Sequence, residues 1–243
     1  MKISIITATF NSAKTIQRLI DSLRSQSFKN FEWIVVDGES KDNTLEILNK
    51  ITDLNLHICS KSDFGVFDAI NRGIRLSKCD HYIVIGSDDW FEVDAIEKFA
   101  KEIDGHSSVI TAPFVCNNKI QILSKLPLCF SGYRRKIYGH SVATLFKKNL
   151  HKKYGFYSNK YPIAADYEFM MKLIMNNENI KVCNFIAGEF SLGGISSSDF
   201  IGASNEVMRI MSSNGFSMPL QLLILIVRIS FISFRSLLKS IYK

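Results

Sequence analysis

Tyr82-Ile83-Val84-Ile85-Gly86-Ser87-Asp88-Asp89-Trp90 is an apolar run that ends in a glycine and two adjacent carboxylates. An apolar run closed by a turn residue reads as a buried β-strand, here over Tyr82–Gly86. Neighbouring carboxylates repel, and each raises the other's pKa unless a cation intervenes. Magnesium and manganese prefer oxygen donors, typically one or two carboxylates completed by substrate phosphates. Asp88–Asp89 therefore reads as a cation site at a strand end, with Asp89 and a diphosphate sharing the ion. A capped turn facing water would need neither Gly86 nor so apolar a strand.

On either side of this stretch the chain alternates between two periods. Ile3–Thr7, Phe31–Asp37, Leu56–Ser60 and Val109–Val115 read as further strands. Between them Ile16, Leu19, Ile20 and Leu23, then Leu45, Leu48 and Ile51, then Val66–Leu76, then Ile96, Phe99, Ala100 and Ile103 recur at helical spacing. Strands joined through helices pair in parallel by right-handed crossovers, and their continuous apolar character implies burial on both faces. The fold class is α/β, with a mostly parallel central sheet flanked by helices. Ligands bind such sheets at the carboxyl ends of the strands, where strand order reverses. From about Asn117 to Tyr138 loops or short antiparallel strands are expected, then a helix over Asp166–Met175, a strand over Ile180–Ile186 and a loop over Gly188–Ser198.

Polar residues at strand ends carry the functional information. Thr7-Ala8-Thr9-Phe10-Asn11 offers hydroxyls and a carboxamide to a base or ribose, and serves equally as a strand-to-helix turn capped by Asn11 or Ser12. Asp37 follows the second strand directly, with Gly38 allowing close approach to the backbone. Asp63 precedes the third helix, on which Asp68 and Asn71 share a face and Arg72 stands one turn beyond Asp68. Polar groups aimed at a sheet edge suit a ligand site. Arg72 either offsets diphosphate charge or is a solvated surface group.

Thr7–Asn11, Val35–Thr44, Asp63–Gly73, Gly86–Asp89, Ala165-Asp166-Tyr167-Glu168 and Gly193-Gly194-Ile195-Ser196 resemble, in order and spacing, the GT-A glycosyltransferases of family 2. The resemblance implies a GT-A (nucleotide-diphospho-sugar transferase) fold and an inverting, metal-dependent transfer of a sugar from a nucleotide-diphosphate sugar. It further implies that Thr7, Thr9 and Asp37 hold the nucleoside, and that Asp63 and Asp68 line the nucleotide and sugar side. By the same resemblance Asp88 and Asp89 are the metal-binding pair, with Asp89 nearest a Mg2+ or Mn2+ ion, and Asp166 is the general base. Two departures stand out. Cys79-Asp80-His81 replaces a small Gly-Asp pair, and Ala165 precedes Asp166 where two acidic residues are common, which leaves Glu168 as a rival base. The Q-x-x-R-W motif of processive synthases is absent, since Trp33 and Trp90 both follow acidic residues. A single-sugar transferase is expected, with residues 1–200 as its domain, 1–115 binding the nucleotide-sugar and 116–200 the acceptor.

Composition sets the outer bounds. The chain has 243 residues, 47% hydrophobic and 22% charged, enough for a sizeable core without disulfides. Its five cysteines are scattered, with no C-x-x-C spacing. Ile3–Ala8 is too short for a signal-peptide core, so the reducing cytoplasm is expected. A net charge of +7 calls for an anionic partner. Nucleotide diphosphate and anionic lipid satisfy that need, and no nucleic acid is expected. Arg134, Arg135 and Lys136 could meet a phosphate on a lipid-linked acceptor or form a solvated loop, and His140 could touch substrate or simply pack.

Residues 201–243 are expected to form a C-terminal helical segment. Leu222–Phe234 is apolar yet shorter than the ~20 residues of a spanning helix, with Arg228 near its middle. Gln221, Arg228, Arg235 and Lys239 form one stripe, as in a helix lying in an anionic membrane interface on the inner face of the cell membrane. A helix docked on the protein itself is the alternative. The leading expectation is a transferase acting on a saccharide or lipid-linked acceptor in surface polysaccharide biosynthesis. Its rivals are a nucleotidyltransferase and a membrane-peripheral binding protein without transfer activity.

Overall fold

In the computed structural model, residues 3–193 and 199–241 are described, with 231–241 as helical backbone alone. The strands β1 (Ile3–Thr9), β2 (Phe31–Asp37) and β3 (Leu56–Ser60) alternate with the helices α1 (Ile16–Arg24), α2 (Thr44–Asn49) and α3 (Val66–Leu76). There follow β4 (His81–Val84), β5 (Trp90–Phe91), α4 (Ala95–Glu102), β6 (Val109–Thr111), β7 (Val115–Cys116) and β8 (Lys119–Ile120). The remainder comprises α5 (Leu128–Ser131), a 3-10 turn (Gly132–Arg135), β9 (Thr144–Lys147), α6 (Leu150–Tyr154), α7 (Ala165–Met175), β10 (Ile180–Val182), β11 (Gly188–Phe190), α8 (Phe200–Ser213) and α9 (Met218–Ile241).

Seven strands form the main sheet in the order β10-β6-β9-β4-β1-β2-β3. β1 pairs in parallel with β2 on one side and β4 on the other. Chain order therefore reverses at β1/β4, and a cleft opens beyond their carboxyl ends. β1 and β2 are rich in β-branched and aromatic residues and are buried almost throughout, because helices cover both faces. One core layer gathers Ile5, Leu19, Trp33, Ile83 and Phe99, the other Ile6, Ile70, Tyr82, Phe146, Phe169 and Met170.

α3 crosses the second layer at Gly73, where a Cβ would stand 2.5 Å from Ile6 Cγ2. Gly73→Ala should therefore push helix and strand apart. The expected cost is about 1–3 kcal/mol, read as a fall in Tm of about 2–10 °C. An unchanged melting curve would contradict that packing.

The main sheet is mostly parallel, as expected, and β9 runs antiparallel to both β4 and β6. Three expectations need correction. The apolar stretch Val109–Val115 is two strands, broken at Ala112-Pro113 so that β7 joins a second sheet of order β5-β11-β7-β8. Gly188–Phe190 is part of that sheet and not a loop. Gly188 is there because β11 runs so close to β5 that a Cβ would meet Trp90 O at 2.2 Å. The strand expected over Ile180–Ile186 is confined to Ile180–Val182.

Candidate active site

A cavity of about 710 Å³ occupies the β1/β4 reversal. Its wall is built from the ends of β1 and β4, the start of α3, the start of α7 and the segment after β11. Of the expected site residues, Thr9, Asn11, Asp63, Asp88, Asp89 and Asp166 line it, and Gly193 joins them.

The carboxylate pair packs against Gly86, where a side chain would have to displace it. At Gly86 a Cβ would lie 2.9 Å from both Asp88 Oδ1 and Asp89 Oδ2. Asp89 is buried, 1% exposed, and its carboxylate is held by three donors. Gly86 N and Ser141 Oγ donate to Oδ2 at 3.1 and 2.9 Å, and Ser191 N donates to Oδ1 at 2.8 Å. Burial pushes Asp89 up to about 7 against those hydrogen bonds, and the Asp88 charge adds a smaller rise. Burial likewise raises Asp88. Desolvation rather than mutual repulsion thus dominates the electrostatics of the pair. Among the described residues neither carboxylate has a cationic partner. Ser191 Oγ also donates to Asp88 O at 2.6 Å, so the segment after β11 is stitched to the pair. The Gly194–Ser196 stretch of the expected flap lies outside the described residues.

Asp166 faces the same cavity from the first turn of α7. Burial pushes it up to about 6, against a hydrogen bond from Tyr167 N at 2.7 Å, and the charge of Glu206 adds to the rise. Glu206, which the sequence did not single out, reaches across from α8 to accept from Ile163 N and Ala164 N at 3.0 and 2.7 Å. It ties down the chain entering α7 and leaves Asp166 free of capping duty. Glu168 is paired with Lys172 at 3.0 Å and is not on the cavity wall. Asp166 rather than Glu168 thus borders the cavity.

Four expected ligand residues do not reach the cavity wall. Thr7 is fully buried, and its hydroxyl accepts from Trp33 Nε1 at 3.0 Å. Asp37 is also fully buried, its carboxylate taken up by Ser40 and by Ser60 Oγ at 2.8 Å. Asn71 exchanges two hydrogen bonds with the Tyr157 backbone, at 2.8 and 3.0 Å, and acts as a strut between α3 and the second half. Asp68 accepts from Phe64 N at 3.3 Å and pairs with Arg72 at 3.4 Å. Arg72 also donates to Lys61 O and Ser62 O, both at 3.0 Å, so it pins a loop rather than awaiting a diphosphate.

Phe10, Tyr133 and Ser141 also line the wall, beside the expected Thr9 and His140. Phe10 is 60% exposed at the rim beside Asn11, a flat apolar face on which a base can stack. Thr9 Oγ1 is buried and, among the described residues, has no hydrogen-bond partner. Tyr133, Ser141 and His140 complete this side. Arg134 and Arg135 donate to Gln121 Oε1 and Ser124 O, each at 3.2 Å, and so brace the loop carrying Tyr133.

The described part of the polar stripe of α9, Gln221 and Arg228, turns toward α5 rather than away from the protein. Gln221 is 3% exposed and donates to Cys129 O at 2.9 Å, while Arg228 donates to Phe130 O at 3.4 Å. Free carbonyls at α5 satisfy these side chains. Leu222, Leu223, Ile226 and Val227 consequently face outward, each 46–59% exposed. The side chains of Arg235, Lys239 and Lys243 lie outside the described residues. Among the described residues no helix is long and apolar enough to cross a membrane.

Residues 4–158 match the model of the family described as glycosyl transferase family 2. A PGL/p-HBAD biosynthesis glycosyltransferase of Mycobacterium tuberculosis is 28% identical over 180 residues, which cover 71% of this chain and 70% of that one. Among solved structures, S. aureus TarS 1-349 in complex with UDP-GlcNAc superposes with a TM-score of 0.72 at 27% identity, covering 93% of this chain and 70% of that one. The mannosyltransferase PcManGT from Pyrobaculum calidifontis, in complex with GDP-Man and Mn2+, gives 0.67 at 15% identity over 94% of this chain and 75% of that one, a likeness of fold.

Proposed function

The chain belongs to glycosyl transferase family 2, and from that premise we propose that it moves a single sugar, with inversion, from a nucleotide-diphosphate sugar to a lipid-linked saccharide in surface polysaccharide biosynthesis. One observation carries the reading: Asp88, Asp89 and Asp166 converge on one cavity at the sheet's switch point. Family membership removes the nucleotidyltransferase alternative. The UDP-GlcNAc complex of TarS makes a UDP-sugar the first donor to test.

The residues fit a divalent cation. Asp88 and Asp89 offer only hard oxygen donors, carry uncompensated charge and border the cavity. Among the described residues no group of three or more His, Cys, Asp or Glu could cage an ion, so the diphosphate would complete the coordination. Mg2+ or Mn2+ held there, nearest Asp89, would neutralise the leaving diphosphate as a Lewis acid. Thr9, Asn11 and Asp63 border the nucleoside, with Phe10 stacked on its base.

Asp166, at about 6, is ionised at neutral pH and basic enough to take the proton of the acceptor hydroxyl. The acceptor oxygen attacks the anomeric carbon as the bond to the diphosphate oxygen breaks. The electron pair leaves with the diphosphate, and the proton stays on Asp166. The acceptor half, 116–200, contributes Tyr133 and Asp166 to the wall.

The outward apolar face of α9, together with exposed Leu126 and Phe130 beside it, supports peripheral attachment to an anionic membrane on the cytoplasmic side. Deleting residues from Pro219 onward should abolish cosedimentation with phosphatidylglycerol vesicles while leaving the fold intact. Unchanged sedimentation would refute the anchor. The transfer itself is tested by a hydrolysis screen over UDP-, GDP- and dTDP-sugars with manganese. Release of diphosphate from one donor class supports the proposal; no release from any overturns it.

A further inference from the structure

A chain of buried polar groups behind the cavity wall is not used by the chemistry above. His151 Nδ1 lies 3.0 Å from Gly155 O, and His151 Nε2 lies 2.7 Å from Tyr82 Oη. Tyr82 Oη lies 3.0 Å from Tyr157 Oη, which lies 2.6 Å from His140 Nε2. Burial pushes His151 down to about 4 and His140 down to about 3, so both imidazoles are neutral.

Proton counting then fixes every link. Gly155 O can only accept, so His151 carries its proton on Nδ1, and its Nε2 accepts from Tyr82. Tyr82 has spent its one proton and accepts from Tyr157. Tyr157 has likewise spent its own and accepts from His140 Nε2–H. A neutral imidazole protonated on Nε2 presents a lone pair on Nδ1. Among the described residues that nitrogen has no hydrogen-bond partner, yet it is not among the sealed, unsatisfied atoms. His140 is 7% exposed and lines the cavity.

The position of that lone pair is informative. Ser141, the next residue, donates to Asp89, and the Asp166 carboxylate is close enough to Tyr157 to act on its phenol. His140 thus borders the same cavity as the carboxylates assigned to the diphosphate and the one assigned to the acceptor. We propose that His140 Nδ1 accepts a hydrogen bond from a hydroxyl of the donor's sugar, with its tautomer set by the Tyr157–Tyr82–His151 chain. His140 is then a specificity-determining residue for the hexose, fixed as a pure acceptor. The inference rests on the transferase reading above.

The test compares a nucleotide-sugar with its own nucleoside diphosphate. For whichever of UDP-GlcNAc, UDP-glucose, GDP-mannose and dTDP-glucose the wild type binds, His140→Phe should raise the Kd about 10- to 100-fold, as for one buried hydrogen bond left unmade. The same variant should leave the Kd of the matching UDP, GDP or dTDP unchanged. Tyr157→Phe should shift the sugar's Kd in the same direction by less. Equal weakening of sugar and diphosphate, or none of either, overturns the inference. Nitrogen-15 NMR of the wild type provides a check that needs no variant: His140 should be protonated on Nε2, and a proton on Nδ1 overturns the proposal. A wild type that binds none of the four donors overturns the transferase reading and this inference together, an outcome distinct from the others.

Discussion

Asp166→Asn should bind donor normally and lose about 10²–10⁴-fold in transfer, the usual worth of a general base. The substitution preserves the shape of the side chain and the acceptor for Tyr167 N at 2.7 Å, so α7 should be undisturbed. What disappears is the group that takes the acceptor's proton. In the wild type, with manganese saturating, turnover should fall about tenfold per pH unit below the pKa of about 6 imposed on Asp166 by burial. The sign for stability runs the other way. A carboxylate whose pKa is raised on folding stabilises the native state while protonated, and that contribution fades as pH rises through about 6. Asp166→Asn should therefore melt higher than wild type at pH 8, with the gap closing below the ordinary carboxylate range. Retained turnover in the variant would move the base elsewhere. Glu168 is poorly placed to take over, because it is paired with Lys172 away from the cavity.

Asp89→Ala should have the other large effect, through the donor rather than the acceptor. Removing the ligand expected nearest the cation should cost about 10³-fold in transfer, equivalent to several kcal/mol of charge stabilisation. It should also abolish the manganese dependence of nucleotide binding. Because the wild-type carboxylate is desolvated and held by Gly86, Ser141 and Ser191, the variant leaves three donors unpaired. Circular dichroism and melting should accompany the binding data, so that unfolding is not mistaken for a lost ligand. Asp88→Ala, on the more open carboxylate of the pair, should weaken metal binding with less disturbance. Metal-dependent binding that survives Asp89→Ala would remove that residue from the cation site.

The strand ends were legible because the switch point of a parallel sheet is a property of the alternation itself. β1, β2, β3 and α3 fall where the apolar periodicity put them, and Asp88–Asp89 follow from an apolar run that stops at Gly86. The failures share a cause, which is that spacing gives a face but not its neighbour. Thr7 and Thr9 lie on the same side of β1, yet Trp33 from the adjacent strand claims Thr7 and leaves Thr9 open to the cavity. Asn71 and Asp68 do share a helix face, but that face meets Tyr157 and Arg72 before any ligand. Gly188 was read as loop because glycine marks turns, whereas here it marks two strands in close contact. The reading of α9 meets a related limit. Its polar stripe was assigned to headgroups, but carbonyls on α5 bind the described part of it, Gln221 and Arg228. Glu206 and the His140 chain are tertiary pairings across more than one element, and no local pattern announces them.

The most direct measurement is titration calorimetry of the wild-type protein with UDP, GDP and dTDP, with and without manganese. One of the three should bind with manganese and lose most of its affinity when the metal is removed. Absence of binding by all three in the presence of manganese would contradict a donor cavity centred on Asp88–Asp89.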